Sequence, residues 1–521
     1  MDATYNLVDE PFVPCLMQDG TLTELGLLPA LTRAHEVREL AHSSPLVTCA
    51  LYRLLLAVLH RLFGPTTEDD WRSLWEDGHF EHQRIGDYFG QWHHRFDLFD
   101  PDRPFYQVPG LDLNRVTPVS KLAQEMASGN NSTLFDHTTV ANPPALTYAE
   151  AAQLLLAMQS YAVGLGRSAT GHRKDSPRCR EIRAMMVGNS LFETLLLNLS
   201  QYPGRFPTID KSEDLPAWER EVPREPGTED VCSGLVDYLT WQSRAIRLLP
   251  DEGHVEWVYL AQGVEMTDPP LDPMGCYTRN TQGEQKGIVV FEERALWRDS
   301  YALFRLANSE WKPPDSAEWA ARLVRKGVLD FGRSCHFLVI GLAFNRDRRA
   351  KIDLWRQDTL PLSDEYLRDE ERVQLLKRAI ELAESTGQAL RAAARTFADV
   401  ACGGESNNGG QPNREKLRDA REALADALAL GRRLWPELEG PFRQLMLRLG
   451  SHQANPDRAL WEWCEGLRRT AVSAFESGVE ELERSPRLMR AGAMAERKLR
   501  MALAFLPTTN ERRSEDEQDI G

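Results

Sequence analysis

Residues 376–397 read LKRAIELAESTGQALRAAARTF. Apolar side chains recur here in alternating steps of three and four residues, and Gly387 fills the one gap in the pattern. The positions are Leu376, Ile380, Ala383, Leu390, Ala394 and Phe397. This spacing is typical of the buried seam of a helix in a bundle. Because such a seam needs partner helices to cover it, the stretch predicts a helical bundle in the C-terminal part of the chain.

The sequence around this seam predicts the limits of the bundle. Ser363 or Asp364 can cap the first long helix, and a cluster of glycine and asparagine residues before Pro412 ends it. Further helical patterns follow at residues 413–449, 456–484 and 486–506. We therefore expect four long antiparallel helices over residues 361–507, followed by a charged, disordered tail over residues 508–521.

The N-terminal part of the chain has a mixed character. Asn6-Leu-Val-Asp-Glu-Pro-Phe-Val-Pro14 and the following Asp19-Gly20 predict two short strands around a turn. Helical spacing covers residues 30–63 and 148–162, whereas strand patterns occur at 255–264, 287–291, 337–344 and 352–355. The predicted fold class is therefore α+β, with a large mixed N-terminal domain over residues 1–360 followed by a C-terminal four-helix bundle.

Length and charge restrict the classes of function. The chain has 521 residues, so two or more domains are expected. Its formal net charge of −16 repels phosphate over the surface as a whole. This charge argues against a protein that binds nucleic acid alone through one basic face. Any contact with DNA must then be local, or shared with partners.

Neither a membrane segment nor an export signal is expected. The apolar stretch from Leu46 to Phe63 is interrupted by Arg53, His60 and Arg61, and it predicts a helix inside the protein. The acidic N-terminus lacks the basic start of a signal peptide, which indicates a cytoplasmic protein. Eight cysteines lie far apart in the sequence, so we expect free, mostly buried thiols and no local zinc site.

The sequence contains no motif that supports catalysis. Residues Gly166 to Arg173 come near a phosphate loop, but Arg173 follows His172 where lysine and a hydroxyl residue are required. A hydrolase that uses a histidine-bound metal is a second alternative, although the aromatic and acidic surroundings of these histidines fit ordinary loop packing. The group consists of His79, His82, His93 and His94. We expect no enzymatic activity, no cofactor and no metal.

Loops that combine turn residues with basic side chains are the candidate binding sites. A glycine-opened loop over residues 164–180 lets the backbone approach a DNA groove while its arginines hold phosphates. Residues 345–351 carry four positive charges between two strand patterns, as at the tip of a basic hairpin. Arg279 and Lys286 flank a third, weaker candidate turn. A solvated surface loop is the alternative interpretation in each case.

Several different short sequence signatures are distributed along nearly the whole chain. They include Asn6–Pro14, Phe96-Asp-Leu-Phe-Asp-Pro-Asp-Arg-Pro-Phe-Tyr-Gln107, Thr117-Pro-Val-Ser-Lys-Leu122, Gly188-Asn-Ser-Leu191, Thr194-Leu-Leu-Leu-Asn198, Tyr238-Leu-Thr-Trp-Gln-Ser-Arg244 and Ala389-Leu-Arg391 with Thr396-Phe-Ala398. In order and spacing they resemble the CasA family, the large subunit of the type I-E CRISPR surveillance complex, Cascade. Because none is a catalytic motif, the resemblance depends on their number and order. The family's architecture, a mixed domain before a four-helix bundle, agrees with the patterns above.

The resemblance implies a non-catalytic role in a ribonucleoprotein complex. CasA subunits recognise the PAM, the short motif beside the target in double-stranded DNA. They help to open the duplex for guide RNA pairing and dock the helicase-nuclease in antiviral defence. The implied partners are the other Cascade subunits, CRISPR RNA, target DNA and the helicase-nuclease, and the guide reads the target sequence itself. The alternative is a scaffold subunit without direct DNA contact.

The resemblance also implies positions for the DNA contacts of the N-terminal domain. The family's glycine loop matches Gly164, Leu165, Gly166 and Arg167, where arginine replaces a further glycine and could add a minor-groove contact. A lysine finger of some members falls near Gln262 and Gly263, so this chain is expected to read a different motif. The strand-separating wedge matches Arg348 and Arg349 in place of amide residues.

Two further sets of positions carry over. A loop that reaches toward the guide end matches Leu134, Phe135, Asp136 and His137, and Phe135 is the candidate for stacking on a base. In the bundle, possible contacts with the DNA backbone are Arg391, Arg395 and Arg487. Solvated helix charges are the alternative interpretation of these three arginines.

Overall fold

The structure is a computed structural model. It describes residues 3–123, 143–164, 167–202, 206, 212–291, 294–307, 309–330, 335–344, 352–403, 414–482 and 485–507. The chain divides into two compact units. The first unit consists of residues 1–292 and 302–362, and the second of residues 293–301 and 363–521. Strands lie in the first unit and long helices in the second, which confirms the predicted α+β class.

The first unit is built from short strands and helices. Its strands are β1 (Val13–Met17), β2 (Leu22–Leu25), β3 (Val37–Leu40), β4 (Thr117–Pro118), β5 (Leu146–Thr147), β6 (Arg167–Ser168), β7 (Gly171–His172), β8 (Arg183–Val187), β9 (Glu229–Asp230), β10 (Arg244–Asp251), β11 (His254–Gln262), β12 (Glu265–Met266), β13 (Tyr277–Arg279), β14 (Gln285–Gly287), β15 (Trp311–Lys312), β16 (Cys335–Phe344) and β17 (Ile352–Leu362). Its helices are α1 (Leu27–Thr32), α2 (Pro45–Leu62), α3 (Glu68–Asp77), α4 (His82–Trp92), α5 (Tyr148–Tyr161), α6 (Leu191–Asn198), α7 (Leu235–Leu239) and α8 (Asp315–Arg325).

Several small sheets surround a core of helices. Three sheets have three strands each, in the orders β2-β1-β3, β14-β13-β15 and β17-β16-β8. A fourth has the order β10-β11-β4, and β5 also pairs with β11. Two further sheets are the pairs β12-β9 and β6-β7. Helix α2 lies in the interior, since 89% of its 18-residue apolar window is buried. It is long and apolar enough to cross a membrane by composition alone, but its burial confirms the predicted interior helix.

The predicted helix over residues 30–63 is wrong in its middle. Strand β3 interrupts it and pairs with β1, which adds a third strand to the two predicted at the N-terminus. The physical reason is Pro45, which starts α2 because it lacks the N–H that a longer helix would need. Val37 and Leu40 are buried at the two ends of the strand, and this burial favours it locally.

The other strand predictions are largely confirmed. Strands β11, β16 and β17 cover the predicted patterns, and β17 continues to Leu362. The pattern at 287–291 is different, because β14 ends at Gly287 and the chain then changes partners. Val289 forms a bridge with Glu181, and Val290 forms one with Ala343. This segment therefore joins two sheets.

The described residues of the second unit form six α-helices in place of the four predicted, because two of the predicted helices are each divided. They are α9 (Asp364–Arg368), α10 (Glu370–Cys402), α11 (Arg414–Ala427), α12 (Leu430–Leu449), α13 (Pro456–Glu480) and α14 (Pro486–Ala502). All six predicted seam residues of α10 are buried. Helices α12 and α13 run antiparallel, because Gly478 lies against Leu430 while Arg448 pairs with Glu462. Helices α13 and α14 are also antiparallel, because Gly492 lies against Val479 while Arg500 pairs with Glu476.

Two predicted boundaries in this unit are wrong. Ser363 caps only the short helix α9, and Asp369 then adopts an extended backbone and caps α10 by accepting a hydrogen bond from the Glu371 amide at 2.8 Å. The predicted helix 413–449 is divided at Ala429, which has a left-handed φ of 48°. That turn lets Leu428 remain fully buried beside Gly478.

Gly387 fits the position of a neighbouring aromatic ring. A Cβ atom at this position would lie 2.7 Å from Cζ2 of Trp435, which packs against it from α12. The gap in the apolar pattern is therefore the place where the indole enters. A side chain at 387 would have to displace this ring.

We predict that Gly387→Ala lowers the stability of the second unit by about 1–3 kcal/mol through overpacking. Gly466→Ala, in α13 with no atom within 4 Å of the added Cβ, is the matched control, and it should be neutral or stabilising because alanine favours helix. Urea unfolding of the full chain followed by helical circular dichroism measures both. Equal midpoints for the two variants would contradict the packing argument.

Candidate nucleic-acid interface

The loop between α5 and β8 is held at its base by close backbone contacts. The Gly164 amide donates a hydrogen bond to Oδ1 of Asp175 at 2.7 Å. A Cβ on Gly164 would lie 2.6 Å from the carbonyl oxygen of Arg173, so this crossing requires glycine. Beyond the crossing, β6 and β7 form a small hairpin in which Arg167 pairs with His172. The glycine therefore closes the base of a basic hairpin.

Gln262 fastens this hairpin to the end of β11. It is 4% exposed, and its Oε1 accepts a hydrogen bond from the Lys174 amide at 2.8 Å. The backbone N–H of Gln262 donates to Oγ of Ser168 at 2.9 Å, and its backbone carbonyl accepts from the Thr170 hydroxyl at 2.7 Å. The position where some relatives are expected to carry a lysine finger thus has a structural role here.

A buried arginine lies beneath the same loop. Arg244 is 3% exposed and donates to the carbonyls of Ser243 and Val163 at 2.8 and 3.1 Å, and to Oε1 of Gln262 at 3.3 Å. Burial lowers the pKa of Arg244 to about 10, so the group remains a cation at neutral pH. The nearby carboxylate of Asp175 forms its ion pair with Arg180, and the charge of Arg244 adds a positive field under the loop.

The basic side chains of the loop have different surroundings. Lys174 is half exposed and pairs with Glu265 at 2.9 Å. Arg173 is half-buried and donates to the Leu260 carbonyl, and burial lowers its pKa. Arg178 donates to the carbonyls of Pro269 and Pro270, whereas Arg180 pairs with Asp175 inside the loop. Arg178 and Arg180 are thus held by partners within the protein, whereas Lys174 is the most exposed of these four cations.

Strand β8 and the residues before it connect the candidate elements. Glu181 bridges to Val289 after β14, and β8 pairs with β16 from His336↔Val187 to Ile340↔Arg183. The glycine loop, the β13–β14 hairpin and the β16–β17 hairpin are thus attached to one short segment. These elements lie far apart in the sequence, at residues 164–180, 277–287 and 335–362, and no pattern in it indicated this connection.

An interior ion-pair network fixes this segment. Asp272 accepts hydrogen bonds from Arg53 of α2 at 2.9 Å and from the Tyr238 hydroxyl at 3.0 Å, and it pairs with Arg183 of β8 at 3.3 Å. Burial raises the pKa of such a carboxyl, but Arg53 and Arg183 outweigh burial and hold the pKa of Asp272 at about 2. The carboxylate is therefore charged whenever the fold is intact.

The two basic residues of the third candidate turn do not act on one surface. Strand β13 pairs with β14 so that Arg279 lies opposite Gln285 and Thr278 opposite Lys286. Because opposed residues share a face and neighbours alternate, Arg279 and Lys286 project from opposite faces of the hairpin. Both are exposed.

Several predicted positions lie outside the described residues. They are Leu134, Phe135, Asp136, His137, Leu165, Gly166, Arg348 and Arg349, and for Arg167 the backbone alone is described. The strands that flank Arg348 and Arg349 are paired from Cys335↔Leu362 to Phe344↔Ile352. This pairing agrees with the predicted hairpin, whose tip remains a prediction.

The three bundle arginines are exposed but do not form one cluster. Arg391 and Arg395 lie one turn apart on α10. The hydroxyl of Thr396, next to Arg395, accepts a hydrogen bond from Lys498 of α14 at 3.0 Å. Arg487 precedes Lys498 by eleven residues, or roughly 16 Å along the helix. The structure thus brings two of the three together.

The alternatives that require catalysis gain no support from the geometry. The four histidines do not converge on a common point: His79 and His82 contact the carbonyls of Asp77 and Thr32, and His93 contacts Asp9. The segment after Gly166 forms a strand hairpin, whereas a phosphate loop leads into a helix. The cysteines are free thiols, buried except for the partly exposed Cys402, as predicted.

Comparison with known proteins agrees with this architecture. The family described as CRISPR-associated protein Cse1 matches residues 6–474. The chain belongs to the Cse1 family. A CRISPR-associated protein CasA/Cse1 of Thermus thermophilus is 34% identical over 513 residues, which cover 96% of this chain and 98% of that protein.

Solved structures of Cse1 proteins share the fold. A Thermus thermophilus CasA (Cse1) structure superposes with a TM-score of 0.81 at 31% identity, covering 97% of this chain and 100% of that one. A Cse1 structure from Acidimicrobium ferrooxidans, at 24% identity, gives a TM-score of 0.77 over 97% of this chain and 99% of that one. The family resemblance inferred from the sequence signatures is thereby confirmed.

Sequence reasoning missed the residues that hold the candidate loop over residues 164–175 in place. Arg244 ends one of the quoted signatures, and this was the available signal, but nothing marked it as buried. Gln262 and Asp175 were not singled out because their partners are set by the fold: Lys174 and Gln262 are 88 positions apart. A buried polar side chain has no periodic pattern in sequence.

We predict that Asp272→Asn destabilises the first unit by about 3–5 kcal/mol, since it leaves two buried arginines without a carboxylate. The exposed Asp268→Asn is the control. Because the folded pKa of about 2 lies below the ordinary 3.8, the contribution of Asp272 is present above pH 4 and is lost as pH falls toward 2. Thermal unfolding at pH 7 and at pH 3 measures this. A constant difference between wild type and Asp272→Asn at both pH values would contradict the assignment.

Gln262→Ala should loosen the loop without unfolding the unit. It removes the acceptor of the Lys174 amide and of Arg244, so we expect hydrogen exchange of the peptide covering residues 167–176 to accelerate about tenfold. Gln285→Ala on the exposed β13–β14 hairpin is the control. Unchanged exchange in Gln262→Ala would show that another contact fastens the loop.

Proposed function

We propose that this Cse1-family protein is the non-catalytic large subunit of a type I-E Cascade complex and recognises the PAM in double-stranded DNA. The observation that carries the proposal is the glycine-closed hairpin of residues 164–175, anchored by Gln262 above the buried cation of Arg244. Such a hairpin brings the backbone and a positive field to a groove at one fixed place. The net charge of −16 suits local contact within a larger assembly.

The partners follow from the family. Two solved structures with the same fold are described as a CRISPR RNA-guided surveillance complex, one of them at 21% identity with a TM-score of 0.77. By this relationship we assign the other Cascade subunits and CRISPR RNA as partners, and target DNA and a helicase-nuclease as ligands of the assembled complex. The complex acts in the cytoplasm in antiviral defence.

The two parts of the chain receive different roles. We assign recognition of the target flank to residues 1–360 and assign residues 361–507 to the bundle, with residues 508–521 as a tail. In the first part, Arg348 and Arg349 act as the wedge that separates the strands, and Phe135, Asp136 and His137 reach toward the guide end. Arg279, Lys286, Arg391, Arg395 and Arg487 are candidate contacts with the DNA backbone.

The experiment that tests this function is target-duplex binding by a guide-loaded complex reconstituted with and without the chain. The DNAs differ only in the nucleotides beside the target. Flank-dependent binding that requires the chain supports PAM recognition. Flank dependence that is the same without it would leave the alternative, a scaffold subunit without DNA contact.

The wedge assignment has its own prediction. Arg348→Glu with Arg349→Glu should slow duplex opening at least tenfold, because like charge repels the DNA backbone, and should leave assembly of the complex unchanged. The exposed pair Arg38→Glu and Arg115→Glu, also in the first unit, is the charge-matched control. Permanganate footprinting of the opened strand and gel filtration of the complex measure the two effects. Normal opening in the Arg348/Arg349 variant would remove the wedge.

A further inference from the structure

A deep groove runs along the second unit between α12 and α13. Its volume is about 1440 Å³, which exceeds the ordinary range for a small-molecule pocket and suits a length of chain. It extends along α13 from Ala459 to Ser477, a distance of roughly 27 Å at the rise of an α-helix.

The groove is positively charged within an acidic protein. Six arginines and four glutamates line it, which gives a local net charge of +2 where the whole chain carries −16. Four of these arginines are paired: Arg433 with Glu481, Arg448 with Glu462, Arg468 with Glu465 and Arg500 with Glu476. Arg432 and Arg469 are exposed and have no ion-pair partner among the residues that the structure describes.

The walls also present uncompensated polar groups. The indole Nε1 of Trp461 is buried and has no hydrogen-bond acceptor in the described part of the chain. Pro436 and Pro441 lie inside α12, and each lacks the N–H that would bond the carbonyl four residues earlier. Those carbonyls belong to Arg432 and Glu437, which both line the groove. A polypeptide, which offers donors and acceptors at regular intervals, matches such walls better than a purely anionic ligand does.

The end of the described chain lies at this groove. The guanidinium of Arg468, a wall residue, donates hydrogen bonds to the carbonyls of Leu506 and Pro507 at 2.8 and 3.2 Å. The sequence continues for fourteen residues, TTNERRSEDEQDIG, in which Glu511, Arg512 and Arg513 precede a run with four acidic residues at Glu515, Asp516, Glu517 and Asp519. Fourteen residues span at most roughly 45–50 Å, so this segment can reach either end of the groove from its middle.

We propose that the acidic segment Glu515–Asp519 of the same chain occupies the groove, where Arg432 and Arg469 receive its carboxylates. The segment then covers this cationic groove and competes with other polyanions for it. The inference is independent of target recognition by the first unit, since it concerns the second unit alone. A nucleic-acid strand or a second copy of the chain are the competing occupants, and the test separates them.

The test uses the full chain with the photoreactive residue p-benzoylphenylalanine in place of Gln518. At low protein concentration we expect intramolecular crosslinks to peptides of residues 430–449 and 456–480, identified by mass spectrometry. Arg432→Glu with Arg469→Glu should reduce their yield at least fivefold. Arg378→Glu with Arg418→Glu, at exposed positions on α10 and α11 outside the groove, should not. Circular dichroism verifies that all variants retain their helices.

Three results would overturn the proposal: crosslinks to peptides outside the groove, crosslinks between two chains, or an equal loss of crosslinking in both arginine variants.

A second measurement uses a fluorescent twenty-nucleotide oligothymidine as the polyanion. Neutralising the segment with Glu515→Gln, Asp516→Asn, Glu517→Gln and Asp519→Asn should raise the affinity of the full chain for this probe about tenfold. The gain should persist with Arg378→Glu/Arg418→Glu and disappear with Arg432→Glu/Arg469→Glu. The same gain in both backgrounds would mean that the segment acts through overall charge alone and would contradict occupancy of the groove.

Discussion

Asp272 lies in the interior of the first unit with two arginines and a tyrosine hydroxyl around it. Neither arginine can be buried alone, and the carboxylate compensates both, so α2, α7 and β8 have to meet at this point. Strand β8 in turn pairs with β16, and the residues just before it bridge to the chain beyond β14. The geometry of the three candidate loops therefore depends on charges buried in the interior of the unit.

The first unit also holds a buried positive charge, that of Arg244, beneath the candidate loop. The proposed DNA contact needs positive potential on a protein with a net charge of −16, yet Arg178 and Arg180 of the candidate loop are bound internally. Arg244 supplies a charge that side-chain motion cannot remove, because carbonyl oxygens and Gln262 hold its guanidinium on several sides. Fixed charge behind a backbone hairpin acts with little loss of conformational entropy, whereas flexible surface lysines must be ordered first.

The sequence predicted those features that have a local or periodic cause. The seam of α10 was readable because burial repeats with the turn of a helix, and Gly387 marked the gap in it. The break at Asp369 and the left-handed Ala429 were not readable, since each depends on what the neighbouring side chains bury. At the site, glycine and arginine were visible as residue types. Their supports, Gln262 and Asp175, are ordinary polar residues whose role is created by contacts across the fold.

The Trp435 ring that fills the space over Gly387 also limits how the second unit can change shape. Packed helices can shift past each other by one turn, about 5.4 Å, when the side chains at their interface are similar in size along the axis. An indole seated at the one glycine of the seam has no equivalent place a turn above or below, where Ala383 and Leu390 carry side chains. This contact opposes sliding between α10 and α12. A change of shape in this unit is therefore expected to move these two helices together.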